Sequence, residues 1–229
     1  MRALLTLALC LLIAPMATAQ STISISGAAG VPQGEFDAAL GSVGGGITFG
    51  YLYQIPRTPV GIGVEATGMM FGYERRSEPF SLTIPDVWVD VTTSNNLGQG
   101  LAVLRVQVPD GRVRPYVDGL AGVSYFWTQT SVSDEYDDYE LASSTNYDDL
   151  ALAYGAGAGL QIKLADGHNK RGRPFDVLID GRVRYLVGGE TTYLGRGDIE
   201  RFDNGTIRIQ PRRSTTTLLV PQLGVTFRY

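Results

Sequence analysis

Cysteine and histidine are nearly missing from this chain, which has one of each among 229 residues. Cys10 falls in the apolar N-terminal segment, so the rest carries no disulfide framework and no thiolate metal site. His168 stands beside Lys170 and Arg171 in a connection between two strand-like segments, where a solvated turn residue is the ordinary reading. Ser-His-acid chemistry needs its base within hydrogen-bond reach of a nucleophile, and one turn histidine offers little towards that. Charged residues are sparse at 18%, the formal net charge is −4, and no Lys/Arg cluster is interleaved with aromatics. That excludes a nucleic-acid interface. No phosphate-cradling glycine loop is present: Gly44-Gly45-Gly46 and Gly155, Gly157 and Gly159 lie in strand context, where small residues permit tight packing. Beyond the N-terminus, no apolar run reaches the about 20 residues of a transmembrane helix.

What is present begins with a leader. Met1-Arg2 is a short positive start, Ala3 to Ala14 is apolar apart from Thr6, and Pro15 precedes Ala17-Thr18-Ala19. This is the pattern of a secretory signal cleaved after Ala19, with 1–19 removed and 20–229 forming one domain. The remainder is rich in glycine (29), tyrosine (12) and phenylalanine (8).

Two-residue alternation runs through it, the mark of strands with one apolar face. At the C-terminus Leu223, Val225, Phe227 and Tyr229 alternate with Gly224, Thr226 and Arg228. Further back, Leu150, Leu152, Tyr154, Ala156, Ala158, Leu160, Ile162 and Leu164 alternate with small or polar residues. Eight such segments can be placed: 23–31, 47–55, 60–70, 98–108, 114–129, 150–164, 175–187 and 215–229. Links after the second, fourth and sixth are short (56–59, 109–112, 165–174). Those after the first, third, fifth and seventh are long (32–46, 73–96, 130–149, 188–214). In 109–112, Pro109 presets its backbone angle and Gly111 supplies a positive φ. A spanning protein without helices must be a closed barrel, because every backbone group in hydrocarbon needs a hydrogen bond. Short turns on one side and long loops on the other is the layout of outer-membrane barrels. The expectation is an all-β, eight-stranded antiparallel up-and-down transmembrane β-barrel in the bacterial outer membrane, with short periplasmic turns, long extracellular loops and both termini periplasmic.

The run Arg114-Pro115-Tyr116-Val117-Asp118-Gly119-Leu120-Ala121-Gly122-Val123-Ser124-Tyr125-Phe126 and the terminal Val225-Thr226-Phe227-Arg228-Tyr229 carry a family likeness. Through them the chain resembles the small eight-stranded outer-membrane barrels of the OmpA/OmpX-like group, over 20–229. The resemblance implies that Phe227 and Tyr229 form the signal read by the barrel-insertion machinery. It also implies an integral membrane role without catalysis, since lipid-modifying and protease barrels use a histidine near the outer surface. The peptidoglycan-binding domain that follows the OmpA barrel has no counterpart here, so cell-wall tethering is not carried over.

Alternation turns Glu65, Arg105, Asp118, Lys163, Asp176, Asp180, Arg182 and Arg184 inward, four acids against four bases. One reading is a gate or narrow ion path. The other is a static polar plug, favoured because an eight-stranded lumen is just wide enough for side chains to fill. The third long loop holds Asp134, Glu135, Asp137 and Asp138 with Tyr136 and Tyr139 and no base. Its oxygens suit calcium, but the spacing of a calcium loop is absent and a solvated acidic loop is the simpler reading. Arg196, Arg201, Arg208, Arg212 and Arg213 of the fourth suit lipopolysaccharide phosphates or simply strand ends. The function expected is a structural or surface-interaction (adhesion) role through the loops, as a monomer without cofactor, whose partners are outer-membrane lipid, lipopolysaccharide or an extracellular surface. A narrow solute channel is the alternative, and a lipid-modifying enzyme stands behind it.

Overall fold

The alternating segments close on themselves. A computed structural model describes residues 20–81, 84–134, 140–168, 174–193, 199–201, 207–209 and 212–229. In chain order the elements are β1 (Gln20–Gln33), α1 (Glu35–Leu40), β2 (Gly44–Gln54), β3 (Val60–Ser81), β4 (Ile84–Gln107), β5 (Val113–Asp134), β6 (Glu140–His168), β7 (Pro174–Tyr193), β8 (Ile199–Arg201), β9 (Ile207–Ile209) and β10 (Arg212–Arg228). Strands β1 to β7 and β10 form a closed eight-stranded antiparallel barrel, and β8 with β9 forms a separate two-stranded ribbon. The closing seam joins β1 to β10, with Ile23 opposite Phe227 and Ile25 opposite Val225. The Tyr229 N–H donates to the Ser21 carbonyl at 2.9 Å, so pairing continues to the last residue. Closure removes the unpaired edge that the C-terminal strand would otherwise present.

The alternation decides which residues face out. Ile47, Phe49, Ile62, Val64, Leu104, Leu150, Leu152 and Tyr154 are exposed, Leu152 by 73%. Ser24, Ser26, Thr48, Gln54, Thr67, Gln99, Gln107 and Thr226 are buried inside. A barrel in water would invert this. An apolar outer band around a polar interior suits hydrocarbon, where the ladder satisfies the backbone and the outer side chains need no partner.

The two ends of the barrel differ. One carries the start of β1 at Gln20, the last residue Tyr229 and the β2–β3 and β4–β5 turns. There Gly111 takes φ 110°, the positive value its turn requires. The other end is built differently from the sequence expectation. The described parts of 73–96 and 130–149 are strand rather than loop: β3 and β4 stay paired out to Ser81 opposite Ile84, and β5 and β6 out to Ser133 opposite Glu140. Likewise β7 continues to Tyr193, which pairs with Arg212 of β10. Val87, Val89, Val91, Thr92 and Thr93 show why. Branched side chains favour extended backbone, and a ladder satisfies the peptide groups that a loop would leave to water. His168 is corrected in the same way. It ends β6 opposite Pro174 rather than lying in the connection, because the ladder outlasts the apolar alternation.

The link after β1 also holds more than a loop. Its Glu-Phe-Asp-Ala-Ala-Leu segment folds as α1, packed against β1 and β10. Gly41 closes it at φ 57° and donates its N–H to the Asp37 carbonyl at 2.8 Å. This turn of helix drives Phe36 into the barrel, where it is 1% exposed.

Candidate functional site

The interior has two layers. Toward the long hairpins it is apolar: Phe36 packs edge-on against Phe71 at 6.1 Å and Phe126 at 5.7 Å, with Met69, Leu97 and Leu218 around them. Below it a belt of charged and polar side chains is set among buried aliphatics such as Leu101, Val103, Leu120 and Leu178, and alternation positions it. Strand β3 supplies Glu65; β4 supplies Arg105; β5 supplies Arg114, Tyr116 and Asp118. From the far wall, β7 supplies Asp180, Arg182 and Arg184, with Gln161 of β6 and Gln222 and Thr226 of β10 beside them.

Arg105 and Asp118 are direct cross-strand partners, and the guanidinium forks onto the carboxylate through Nε at 2.7 Å and Nη2 at 2.9 Å. Arg184 reaches across the lumen to Glu65, donating from Nη1 to Oε2 and from Nη2 to Oε1 at 2.8 Å, and touches Asp118 at 3.3 Å. Arg182 donates from Nη1 to the same Oε1 of Glu65 at 3.0 Å and from Nε to Gln222, its neighbour on β10. Gln222 in turn donates to Thr48 at 3.3 Å. Asp180 accepts from the Tyr116 hydroxyl at 2.5 Å, from Gln161 at 3.0 Å and from Thr226 at 3.2 Å. The Arg105 guanidinium lies 3.6 Å from the Tyr116 ring centroid, a cation–π contact. Glu65, Asp118 and Asp180 thus balance Arg105, Arg182 and Arg184 in a closed, neutral belt.

Room for these large side chains comes from small ones opposite. A Cβ on Gly157 would meet Arg184 Cγ at 2.7 Å, and one on Gly159 would meet the Tyr116 ring and Arg182 Cβ. Chemically, the belt can brace the wall and close the lumen to ions. Charges taken out of water keep their partners, because a lone buried ion is far costlier than the pair.

All eight charged positions singled out from the sequence lie on the inner face, in two groups. Glu65, Arg105, Asp118, Asp180, Arg182 and Arg184 form the buried belt. Lys163 and Asp176 sit apart, half-exposed at the end carrying the termini, where Asp176 accepts from Lys163 at 2.8 Å and from Arg114 at 2.9 Å. Arg114, Tyr116, Gln161, Gln222 and Thr226 were not among the expected lumen residues. Parity could have found them: Arg114 and Tyr116 share a face with Asp118, and Gln161 shares one with Lys163. Phe36 could have been found from the Phe36/Leu40 spacing of one helical turn. Asp134 ends β5, while Glu135, Asp137, Asp138 and the cleavage position Ala19 lie outside the described residues. Phe227 is half-exposed beside Ile23 and Val177 on neighbouring strands, and Tyr229 is exposed.

A closed eight-stranded antiparallel barrel, apolar outside and ionic within, places the chain among barrels of the outer-membrane type. No family model matches the sequence, and no curated protein matches it. Among solved structures the chain is similar to Neisserial surface protein A at 12% identity and a TM-score of 0.41, covering 92% of this chain and 95% of that one. It is also similar to a major outer membrane protein from Thermus thermophilus, at 14% identity and a TM-score of 0.37, covering 91% and 99%. A third is Ail, the attachment invasion locus protein of Yersinia pestis, at 16% identity and a TM-score of 0.35, covering 92% and 97%.

Proposed function

We propose that this chain is a non-conducting barrel of the bacterial outer membrane that acts through the surface of its extended hairpins. The observation that carries the reading is the double occlusion of the lumen, by the apolar layer around Phe36 and by the neutral belt around Glu65 and Arg184. A passage for solute must part both, and each is tied to several strands.

The rest follows from the outer-membrane layout. Exposed rows such as Leu150, Leu152 and Tyr154 meet lipid. The short turns and both termini then face the periplasm, and the hairpins of β3–β4 and β5–β6 extend into the exterior. These hairpins meet lipopolysaccharide or a protein surface, and the acidic tip from Asp134 to Asp138 is their most distinctive chemistry. Phe227 and Tyr229 serve as the terminal signal for the insertion machinery, and the barrel works as a monomer without a catalytic role.

Single-channel recording in a planar bilayer tests the core of this reading, after an unheated-versus-boiled gel shift has established the folded barrel. Silence from heat-modifiable protein is the expected result. Steady, reproducible openings overturn it and make the belt a conduction path.

A further inference from the structure

A cavity of about 750 Å³ opens between the β2–β3 turn, the β4–β5 turn, Gln20 at the start of β1 and Arg228 at the end of β10. Small-ligand pockets run roughly 300–1,000 Å³, so this one has room for a metabolite-sized molecule or a headgroup. Gln54, Arg57, Thr58, Asp110 and Arg228 line it.

Arg228 is out of place by the standards of this barrel. Arg105, Arg114, Arg182 and Arg184 each hold a carboxylate. Arg228 is 6% exposed, yet among the described residues it makes one side-chain hydrogen bond, from Nη1 to the Pro109 carbonyl at 2.7 Å, and pairs with no acid. Asp110 and Asp176 act on Arg228 through space but neither forms a salt bridge with it, and a bound anion supplies the direct partner that a buried guanidinium otherwise lacks. Behind the same turn, Arg114 donates from Nε to the Gly111 carbonyl at 3.0 Å, and its buried Nη1 has no partner.

Arg57, on the β2–β3 turn that lines the same cavity, is an independent anomaly. It is the one non-glycine among the described residues with positive φ, at 63°. Glycine takes that conformation without strain, whereas a side chain there is unfavourable and concentrates at functional sites. The turn around it is held firmly: Gln54 Nε2 donates to the Thr58 and Val60 carbonyls, each at 3.0 Å, while its Oε1 has no partner. Asp110, exposed on the β4–β5 turn beside the Pro109 carbonyl that Arg228 holds, opposes an anion, as does Asp176 at longer range, while Arg228 and Arg57 both line the cavity and attract one.

We propose that this cavity is a binding site for a small molecule or headgroup bearing a carboxylate or phosphate, gripped between Arg228 and Arg57. The planar guanidinium fork matches either group with two parallel hydrogen bonds. The site opens away from the hairpins and does not depend on whether the lumen conducts.

The test is calorimetric titration of the full, heat-modifiable barrel in zwitterionic micelles. One arm adds inorganic phosphate, a second adds succinate, and a third dopes the micelles with phosphatidylglycerol. Saturable one-to-one binding in any arm is expected, and the arm that saturates separates a free solute from a lipid headgroup. Affinity should fall tenfold or more in Arg228→Gln and in Arg57→Gly. The second variant relieves the strained φ, so its barrel should unfold at higher urea while binding more weakly, which a merely structural Arg57 does not explain. It also keeps the test decisive where Arg228→Gln fails to insert. No saturation in any arm, or unchanged affinity in Arg57→Gly, overturns the proposal.

Discussion

Arg105 and Asp118 face each other across β4 and β5 and share two hydrogen bonds, at 2.7 and 2.9 Å, with both side chains almost wholly out of solvent. The pair is the anchor of the belt, because Asp118 also receives Arg184 from the far wall. Removing one charge leaves a guanidinium desolvated without its counterion, which typically costs about 3–5 kcal/mol. Asp118→Asn should therefore destabilise the barrel by that order, read as a lower urea midpoint in vesicles. Adding Arg105→Gln should recover part of the loss, though not all, since Arg184 still lacks one contact. Strict additivity of the two substitutions would show that the pair is not energetically coupled.

Phe36 makes a different kind of closure. It comes from a six-residue helix rather than from the barrel wall, and it fills the space between Phe71 and Phe126. Truncating a buried phenylalanine generally costs about 3–5 kcal/mol. Phe36→Ala should lower the unfolding midpoint accordingly and, if the ionic belt occludes the lumen as proposed, leave the bilayer electrically silent. Openings in this variant alone would show the belt to be permeable.

The inward placement of Arg105, Asp180, Arg182 and Arg184 was legible in the sequence because side-chain direction follows a period of two and needs no knowledge of neighbours. Local partnerships were within reach too, since the Pro109–Arg112 turn sets Arg105 opposite Asp118. The contact of Glu65 with Arg184 was not, because it crosses the lumen between strands 119 residues apart. It depends on how far the strands are staggered around the barrel, which alternation does not encode. Phe36 was passed over for another reason: in a glycine-bounded link the Phe36/Leu40 spacing is a single helical repeat, a far weaker signal than the long alternations beside it. The β3–β4 hairpin was read as a loop because its apolar alternation is interrupted between Met70 and Val87, although β3 stays paired out to Ser81.

Glycine spacing on β6 gives a paired prediction. A side chain at Gly159 would collide with the Tyr116 ring and reach Arg182 Cβ at 2.8 Å, both held by hydrogen bonds in the belt. Gly159→Val should cost about 1–3 kcal/mol through overpacking and strain. On β2, a Cβ at Gly45 meets nothing within 4 Å. Gly45→Ala should stay within about 0.5 kcal/mol of the parent. Urea midpoints of the two variants, measured side by side, separate a packed lumen from a loosely filled one. Equal midpoints would count against packing.

Leu152 tests the outer face. It is 73% exposed, in a row with Leu150 and Tyr154, so no contact within the chain explains a leucine there. In water, Leu152→Arg at such a position should change stability by no more than about 0.5 kcal/mol. In a bilayer, the same arginine near the midplane costs about 2–4 kcal/mol, falling toward zero near the interfaces. The variant should therefore insert poorly into vesicles and lose much of its heat-modifiable band, while Leu152→Ile behaves as the parent. Because the substitution touches no belt residue and no core residue, a defect can be traced to the surroundings of the barrel. An arginine variant that folds as readily in vesicles as the parent would place Leu152 outside the hydrocarbon layer.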